Sequence, residues 1–491
     1  MKIYNSLSKK LEEFASIEDK KIIMYICGLT PYDDAHLGHA RTYISFDIIK
    51  RYFLKKGYSI YHLQNITDVE DKIINRAIER KRNPIELAEE FQKKADAVFD
   101  KLNILRADVY PKVSTHIKEI IQMIERIIEN GFGYVTSDGV YFDVSKFPNY
   151  GKLSGQKLEE LKSGTRKEIL ENKKNDRDFA LWKIEKNPVI EFKSPWGSGR
   201  PGWHIECSAI AMKYSKGKTL DIHGGGLDLS FPHHENEIAQ TEAALRIPFA
   251  KYWVHTGFLT VKGEKMSKSL GNFITIEKVL EKHSPNSIRL LFAQNHYKSP
   301  VDYSEGQIEA SQKTVERILN TFERLNKKKP NENGETIEYF RKEIEEFYYH
   351  MDNDFNTPMA FASFFNLIKK INVALEDRGM AKDALEYLKK EFENIIWIFG
   401  LKIETQINNI GSNSKILVPI EKIGERNIDE KVRGIIVNFA QEYVETKNKK
   451  VEEILGELKK FRERCRKEKN YQKSDEIRAK LREIGIEIED K

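Results

Sequence analysis

The chain has 491 residues, 40% apolar and 32% charged, with a net charge of +6, so it is too long for one hydrophobic core, and roughly two to four domains are expected. The densely charged, mildly basic composition permits a nucleic-acid partner without demanding one. Residues 1–14 carry lysines and glutamates where a secretory signal needs an apolar centre, and no apolar run approaches a membrane span, so a cytoplasmic protein with no membrane partner is expected.

Residues 21–29 (KIIMYICGL) are an apolar, β-branched run ending in glycine and predict a strand. Helical periodicity follows from about His36 to Lys56, and residues 58–66 (YSIYHLQNI) supply the next strand. The chain thus opens as a βαβ unit of an α/β, parallel-sheet domain, whose first loop lies where doubly wound folds bind ligands. Residues 106–195 read as an insertion, with a helix near His116–Glu129, a hairpin-like GYVTSDGVYFDV and the polar KEILENKKNDRD. A further strand, Thr219–His223, runs into Gly224-Gly225-Gly226, and FPHHENEIAQTEAAL then has helical composition with Pro232 near its start. Residues 306–401 read as long amphipathic helices, one starting at Thr357-Pro358; 402–427 read as a polar linker, and 428–491 as helical again, basic from Lys459 to Arg482.

Three motifs carry chemistry. His36-Leu37-Gly38-His39 opens the first helix; residues three apart share a face, glycine lets a ligand approach the backbone, and a helix N-terminus favours anions. Lys265-Met266-Ser267-Lys268-Ser269, followed by Leu270-Gly271-Asn272, sets two cations and two hydroxyls in a glycine-flanked loop suited to closing over phosphates. The third comprises Cys27, Cys207, His233, His234 and Glu237. His233 and Glu237 are four apart, so imidazole and carboxylate can join the thiols as a zinc-type ligand set, although on spacing alone His234 competes with His233. Three cysteines are too few for a disulfide framework, and Cys465 is read as incidental.

The HLGH and KMSKS pair resembles the signature of class I aminoacyl-tRNA synthetases, departing from HIGH only at Leu37. RPGWHIECSA, DIHGGGLDLSFPHHENEIAQ, YFDVSKFPNYGKLSG and DFNTP, between about residues 20 and 365, resemble the cysteinyl-tRNA synthetase family in particular; Pro31 departs from the valine of many relatives. The resemblance implies a Rossmann-like catalytic domain in two halves, 1–105 and 196–250, around the 106–195 insertion. A KMSKS and stem-contact region (251–305), a helical bundle (306–401) and an anticodon-binding region (428–491) follow the linker pattern above. It implies activation of L-cysteine by ATP with Mg2+, then transfer to the 3′-terminal adenosine of tRNA(Cys), by a monomer without a separate editing domain.

His36, His39, Lys265 and Lys268 would stabilise the transition state by charge and position, with Ser267, Gly224, Gly225 and Asp228 also facing ATP. Gly28, Thr67 and Trp203 would form the cysteine pocket. Cys27, Cys207, His233 and Glu237 would hold one zinc ion that recognises the thiolate, since size alone separates cysteine poorly from serine. Two other readings are a ligase joining cysteine to an amino sugar on the same fold and a non-catalytic RNA-binding paralogue. A zinc hydrolase is disfavoured because H-E-x-x-H is absent.

Overall fold

A small antiparallel hairpin, β1 (Lys2–Asn5) and β2 (Lys10–Glu13), precedes the main sheet in this computed structural model. The structure describes residues 1–156, 172–185, 189–266 and 272–403, together with 451–468 and short stretches between 418 and 487. Strand β3 (Lys21–Ile26) ends in three buried residues, as a strand covered on both faces requires. Helix α1 (Leu37–Lys55) crosses to β4 (Ser59–Leu63), which pairs parallel with β3, giving the expected βαβ unit. Next come α2 (Asp71–Arg80), capped by the Glu70 carboxylate, and α3 (Pro84–Lys101), capped by Asn83 with proline in its first turn.

The segment read as an insertion holds α4 (Ile117–Glu129) and an antiparallel sheet of β5 (Gly133–Val135), β6 (Gly139–Phe142), β7 (Phe179–Lys183) and β8 (Arg200–Pro201). This sheet extends past residue 195, because Lys183 pairs with Arg200. Helix α5 (Ile205–Tyr214) leads back to the main sheet through β9 (Leu220–Gly226).

The glycine triplet is a departure from expectation. Gly224, Gly225 and Gly226 lie inside β9, paired with Val254, His255 and Thr256, and Gly224 also faces Ile26 of β3. Ladder pairing outweighs glycine's modest strand penalty. The close packing also requires it, since a Cβ on Gly224 would sit 2.4 Å from the Phe46 ring. Around Pro232 the chain makes an irregular turn, Ser230–His234, so α6 (Glu235–Leu245) starts later than the proline suggests. Strand β10 (Ala250–Thr256) completes an all-parallel sheet in the order β10-β9-β3-β4. Strands adjoin β3 on opposite sides, and open sheets of this kind bind ligands outside the carboxyl ends at such a reversal.

A small sheet follows, with β11 (Leu259–Val261) between β12 (Glu264–Lys265) and a strand reached after α7 (Ile276–Leu280) and α8 (Pro285–Ala293), namely β13 (Val301–Tyr303). The amphipathic helices are α9 (Glu305–Lys327), α10 (Ile337–Asp352), α11 (Thr357–Glu376) and α12 (Lys382–Ile398), packed around Phe347, Phe364, Phe392 and Phe399. Asn356 caps α11, and proline sits in its first turn.

The chain separates into two units, Met1–Leu401 and Lys402–Lys491. In the second, α13 (Val451–Lys467) buries Ile454, Leu455 and Leu458 against Ile436, Ile477 and Leu481, and Cys465 is buried too. Here β14 (Val418–Pro419) pairs parallel with β15 (Ile486–Glu487), so the stretch read as linker supplies a strand and the terminal region is not wholly helical. Each is a short apolar or β-branched run, which finds a ladder partner only through the fold. Tyr471, the aromatic of the basic terminal run and a candidate to stack on a nucleic-acid base, lies outside the described residues. Among the described residues no helix is long and apolar enough to cross a membrane.

Candidate active site

A cleft of about 320 Å³ opens at the carboxyl ends of the parallel strands. Cys27 and Gly28 reach it from β3, Asn65 and Thr67 from β4, Gly225 and Gly226 from β9, and Thr256 from β10. The head of α1 closes another side.

His36 is the N-cap of α1, and its Nδ1 accepts the backbone N–H of His39 at 3.4 Å. The Nδ1 of His39 accepts the backbone N–H of His36 at 3.3 Å, so two imidazoles form the reciprocal cap usually made by a hydroxyl and a carboxylate. Their rings stack with centroids 3.7 Å apart. Gly38 serves this cap, because a Cβ there would fall 2.9 Å from the His36 ring. With both Nδ1 atoms accepting, a neutral ring carries its proton on Nε2 and is a donor there. Burial, helped by the charges of His36 and Lys72, holds His39 well below the usual histidine range, so near neutral pH it offers a hydrogen bond in place of the full charge expected from sequence.

Lys265 ends β12, whereas Ser267, Lys268 and the loop through Gly271 lie outside the described residues. The flanks of that loop border the histidine motif. Met266 lines the cleft, Leu37 donates its backbone N–H to Ile274 O at 3.0 Å, and Ile276 donates to Ala35 O at 2.9 Å. The Phe273 ring meets His36 edge-on at 5.0 Å.

Cys27, Cys207, His233 and Glu237, drawn from the end of β3, from α5, and from the turn and helix after β9, converge with all four ligand atoms within 4.8 Å of one another. The His233 Nε2 to Glu237 Oε1 distance is 3.1 Å. A second set shares two members: Cys27 and Glu237 with His223 and His234 meet within the same limit, and Cys27 Sγ lies 3.3 Å from His234 Nε2. Cys27, Cys207 and His233 line the cleft, and of the second set only Cys27 does. Burial pushes the Cys27 thiol up to about 11 and Cys207 well above its ordinary value. Burial would lower His233, but the Glu237 carboxylate and Cys207 raise it to about 10; burial would raise Glu237, but His223, His233 and His234 hold it well below the carboxylate range. Thiols too buried to ionise alone, facing an imidazole and a carboxylate, fit a divalent cation that takes the place of the protons.

Gly28 donates its N–H to Asn65 Oδ1 at 2.8 Å, and a Cβ at Gly28 would lie 1.6 Å from Asn65 O, so only glycine fits. Thr67 lines the cleft, as does Trp203, whose ring lies 4.7 Å from that of His233. Gly225 also borders the cleft, Asp228 stands exposed at its edge, and Gly224 packs behind the wall against Phe46. Sequence reasoning missed Asn65, Lys72, His204, His223, His255 and Glu206. His204 Nδ1 lies 2.8 Å from His233 Nδ1, and His255 Nε2 lies 2.8 Å from His234 Nδ1. The signal for His223 was available: a histidine at the end of a short strand, just ahead of the glycines.

A family model described as "tRNA synthetases class I (C) catalytic domain" matches residues 13–313, and one described as "DALR domain" matches residues 346–404. The fold is similar to that of Mycobacterium tuberculosis methionyl-tRNA synthetase in complex with methionyl-adenylate, with TM-score 0.56 and 14% identity over 77% of this chain and 88% of that chain. Fold and matched segments define a class I tRNA synthetase. Cysteine–tRNA ligase of Methanococcus maripaludis (strain S2) is 43% identical, with 100% of this chain and 97% of that protein covered. That of Pyrococcus horikoshii is 44% identical with the same coverage. The chain belongs to the cysteine–tRNA ligase family.

Proposed function

We propose that the chain, acting as a monomer in the cytoplasm, activates L-cysteine with Mg-ATP and transfers it to the 3′-terminal adenosine of tRNA(Cys), selecting cysteine at a zinc site of Cys27, Cys207, His233 and Glu237. The observation that carries this reading is the convergence of those four donors at the cleft wall, with three of them bordering the cleft. When bound there, zinc supplies a soft Lewis acid for which a substrate thiol is a far better ligand than a serine hydroxyl.

The protein's own residues do the rest. The cysteine carboxylate attacks the α-phosphate, pyrophosphate leaves, and a ribose hydroxyl then attacks the adenylate carbonyl as AMP leaves. His36 and His39 donate from Nε2 to phosphate oxygens at the head of α1, where the helix dipole also favours negative charge. Lys265, Ser267 and Lys268 close on the leaving phosphates. Gly225 and Asp228 face the nucleoside, while Gly224 shapes the strand behind it. Gly28, Thr67 and Trp203 enclose the amino acid. No side-chain nucleophile is required, because the acyl phosphate is already activated. The region 251–305 meets the tRNA stem and residues 428–491 its anticodon.

The family match over the whole chain supports a tRNA acceptor over an amino sugar. Charging total tRNA with each amino acid in turn tests the proposal: cysteine alone is esterified, and metal analysis finds one zinc per chain. Absence of cysteine-dependent ATP–pyrophosphate exchange would overturn it.

A further inference from the structure

Beneath the cleft, a line of hydrogen bonds joins residues far apart in sequence. The backbone N–H of Gly28 can only donate, and at 2.8 Å it fixes the Asn65 oxygen toward itself. The amide nitrogen of Asn65 therefore faces Thr67 and donates to its Oγ1 at 2.9 Å. Thr67 has one hydroxyl proton, and it goes to Glu206 Oε1 at 3.0 Å. Glu206 is 0% exposed and Asn65 2%. The second carboxyl oxygen of Glu206, Oε2, is buried with no hydrogen-bond partner. A buried carboxyl satisfied on one side only is costly to the fold, so its presence calls for a functional reason.

We propose that Glu206 is a positioning residue that sets the polarity of the amino-acid site through Thr67. Its direction follows from counting donors. One lone pair of Thr67 Oγ1 is taken by Asn65, and the proton is taken by Glu206. What the hydroxyl can still present to the cleft is a lone pair, so it accepts from an ammonium group and cannot donate to a carboxylate. The cysteine amino end is thereby held at the floor of the cleft, and its carboxylate is left toward the head of α1, where it must attack phosphate. A hydroxyl free to rotate would accept from the ammonium or donate to the carboxylate. Glu206 does not border the cleft, and its influence is transmitted wholly by the Thr67 proton. The inference rests on the reading of Thr67 as part of the cysteine pocket.

Two truncated thiols separate the possibilities, with binding to the full, zinc-loaded chain measured by calorimetry. Cysteamine keeps the amine and lacks the carboxylate; 3-mercaptopropionate keeps the carboxylate and lacks the amine. Glu206→Met removes the acceptor and lets the hydroxyl turn its proton toward the cleft, so it weakens cysteamine several-fold, part of the loss that follows when a hydrogen bond to a charged group disappears outright. Binding of 3-mercaptopropionate is unchanged or tightened. Glu206→Gln keeps an acceptor oxygen for Thr67 and restores the wild-type preference. Thr67→Val, which removes the accepting oxygen itself, weakens cysteamine about tenfold or more, and the Glu206→Met/Thr67→Val double variant is no worse than Thr67→Val alone. If Glu206→Met fails to fold or to retain zinc, Glu206→Asp, which withdraws the carboxyl by one methylene, carries the same expectation. Equal weakening of both thiols, or unaltered cysteamine binding, would overturn the proposal. Failure of either thiol to bind the unsubstituted chain is a distinct result; it would remove the cysteine-site reading, and this inference with it.

Discussion

At the level of single residues, two glycines are dictated by neighbours. A methyl group on Gly28 would overlap the Asn65 carbonyl oxygen at 1.6 Å, and the strand ends that hold Cys27 and Thr67 would have to part. Gly28→Ala is therefore expected to lower kcat/KM for cysteine roughly 100-fold, the order of loss that follows a displacement of about 1 Å in a reacting pair. The KM for ATP should change far less in the same exchange assay. Gly38→Ala strikes the other substrate. It pushes on the His36 ring at 2.9 Å, weakens a cap worth about 1 kcal/mol, and lowers kcat of exchange several-fold with little change in the KM for cysteine.

His62 gives a test in pH. It is buried, and burial together with the Lys50 charge holds its imidazole well below the usual value. The unfolded chain therefore binds the extra proton below about 6.5, so this contribution to stability is intact above that pH and is lost as pH falls. The stability difference between wild type and His62→Gln should shift against the wild type by up to about 1.4 kcal/mol per pH unit below 6.5, read from urea unfolding at pH 7.5 and 5.5.

At the level of elements, helix α1 is tied to its surroundings by buried charge. Asp47 receives Arg51 Nε at 2.8 Å and is paired with Arg289 of α8, and all three side chains are almost fully buried. Arg289 also donates to Phe399 O at 2.8 Å and Leu102 O at 2.9 Å, and Arg51 donates to Trp397 O at 3.2 Å. Nearer the start of the helix, Arg41 binds the carbonyls of Phe292, His296, Tyr297 and Ser299. Removing one partner leaves uncompensated groups in the interior, so Arg289→Met should cost about 3–5 kcal/mol in the unfolding of the first unit.

None of this was legible in the sequence, where Arg41, Arg51 and Arg289 sit in helical runs like any surface arginine. What could be read there was local: the apolar run closing on Cys27-Gly28, the spacing of His36 and His39, and the threonine and proline that start α11. The glycines of β9 were misplaced because strand pairing is set by neighbours on both sides. The link from Thr67 to Glu206 crosses 139 positions, and only the fold brings them together.

For the molecule as a whole, Cys27, Cys207, His233 and Glu237, the ligands proposed for zinc, are also a structural junction, since they join β3, α5 and the entry to α6. Removing the ion with a chelator at neutral pH should abolish cysteine-dependent exchange and lower the melting temperature of the first unit, because a ligand bound only by the folded state stabilises it. ATP binding should survive. Calorimetry with ATP, alongside thermal melting before and after zinc is restored, checks all three outcomes.

The 19 residues of α1 make a rod about 28 Å long. One tip is the paired imidazole clasp. Towards the other, Arg51 of the helix donates to Trp397 O, and Arg289 of α8, paired with Asp47 of the helix, donates to Phe399 O, just before the first unit ends at Leu401. No proline interrupts the helix between these two ends. One unbroken helix thus spans the distance between the closing residues of the first unit and the histidine pair that borders the cleft.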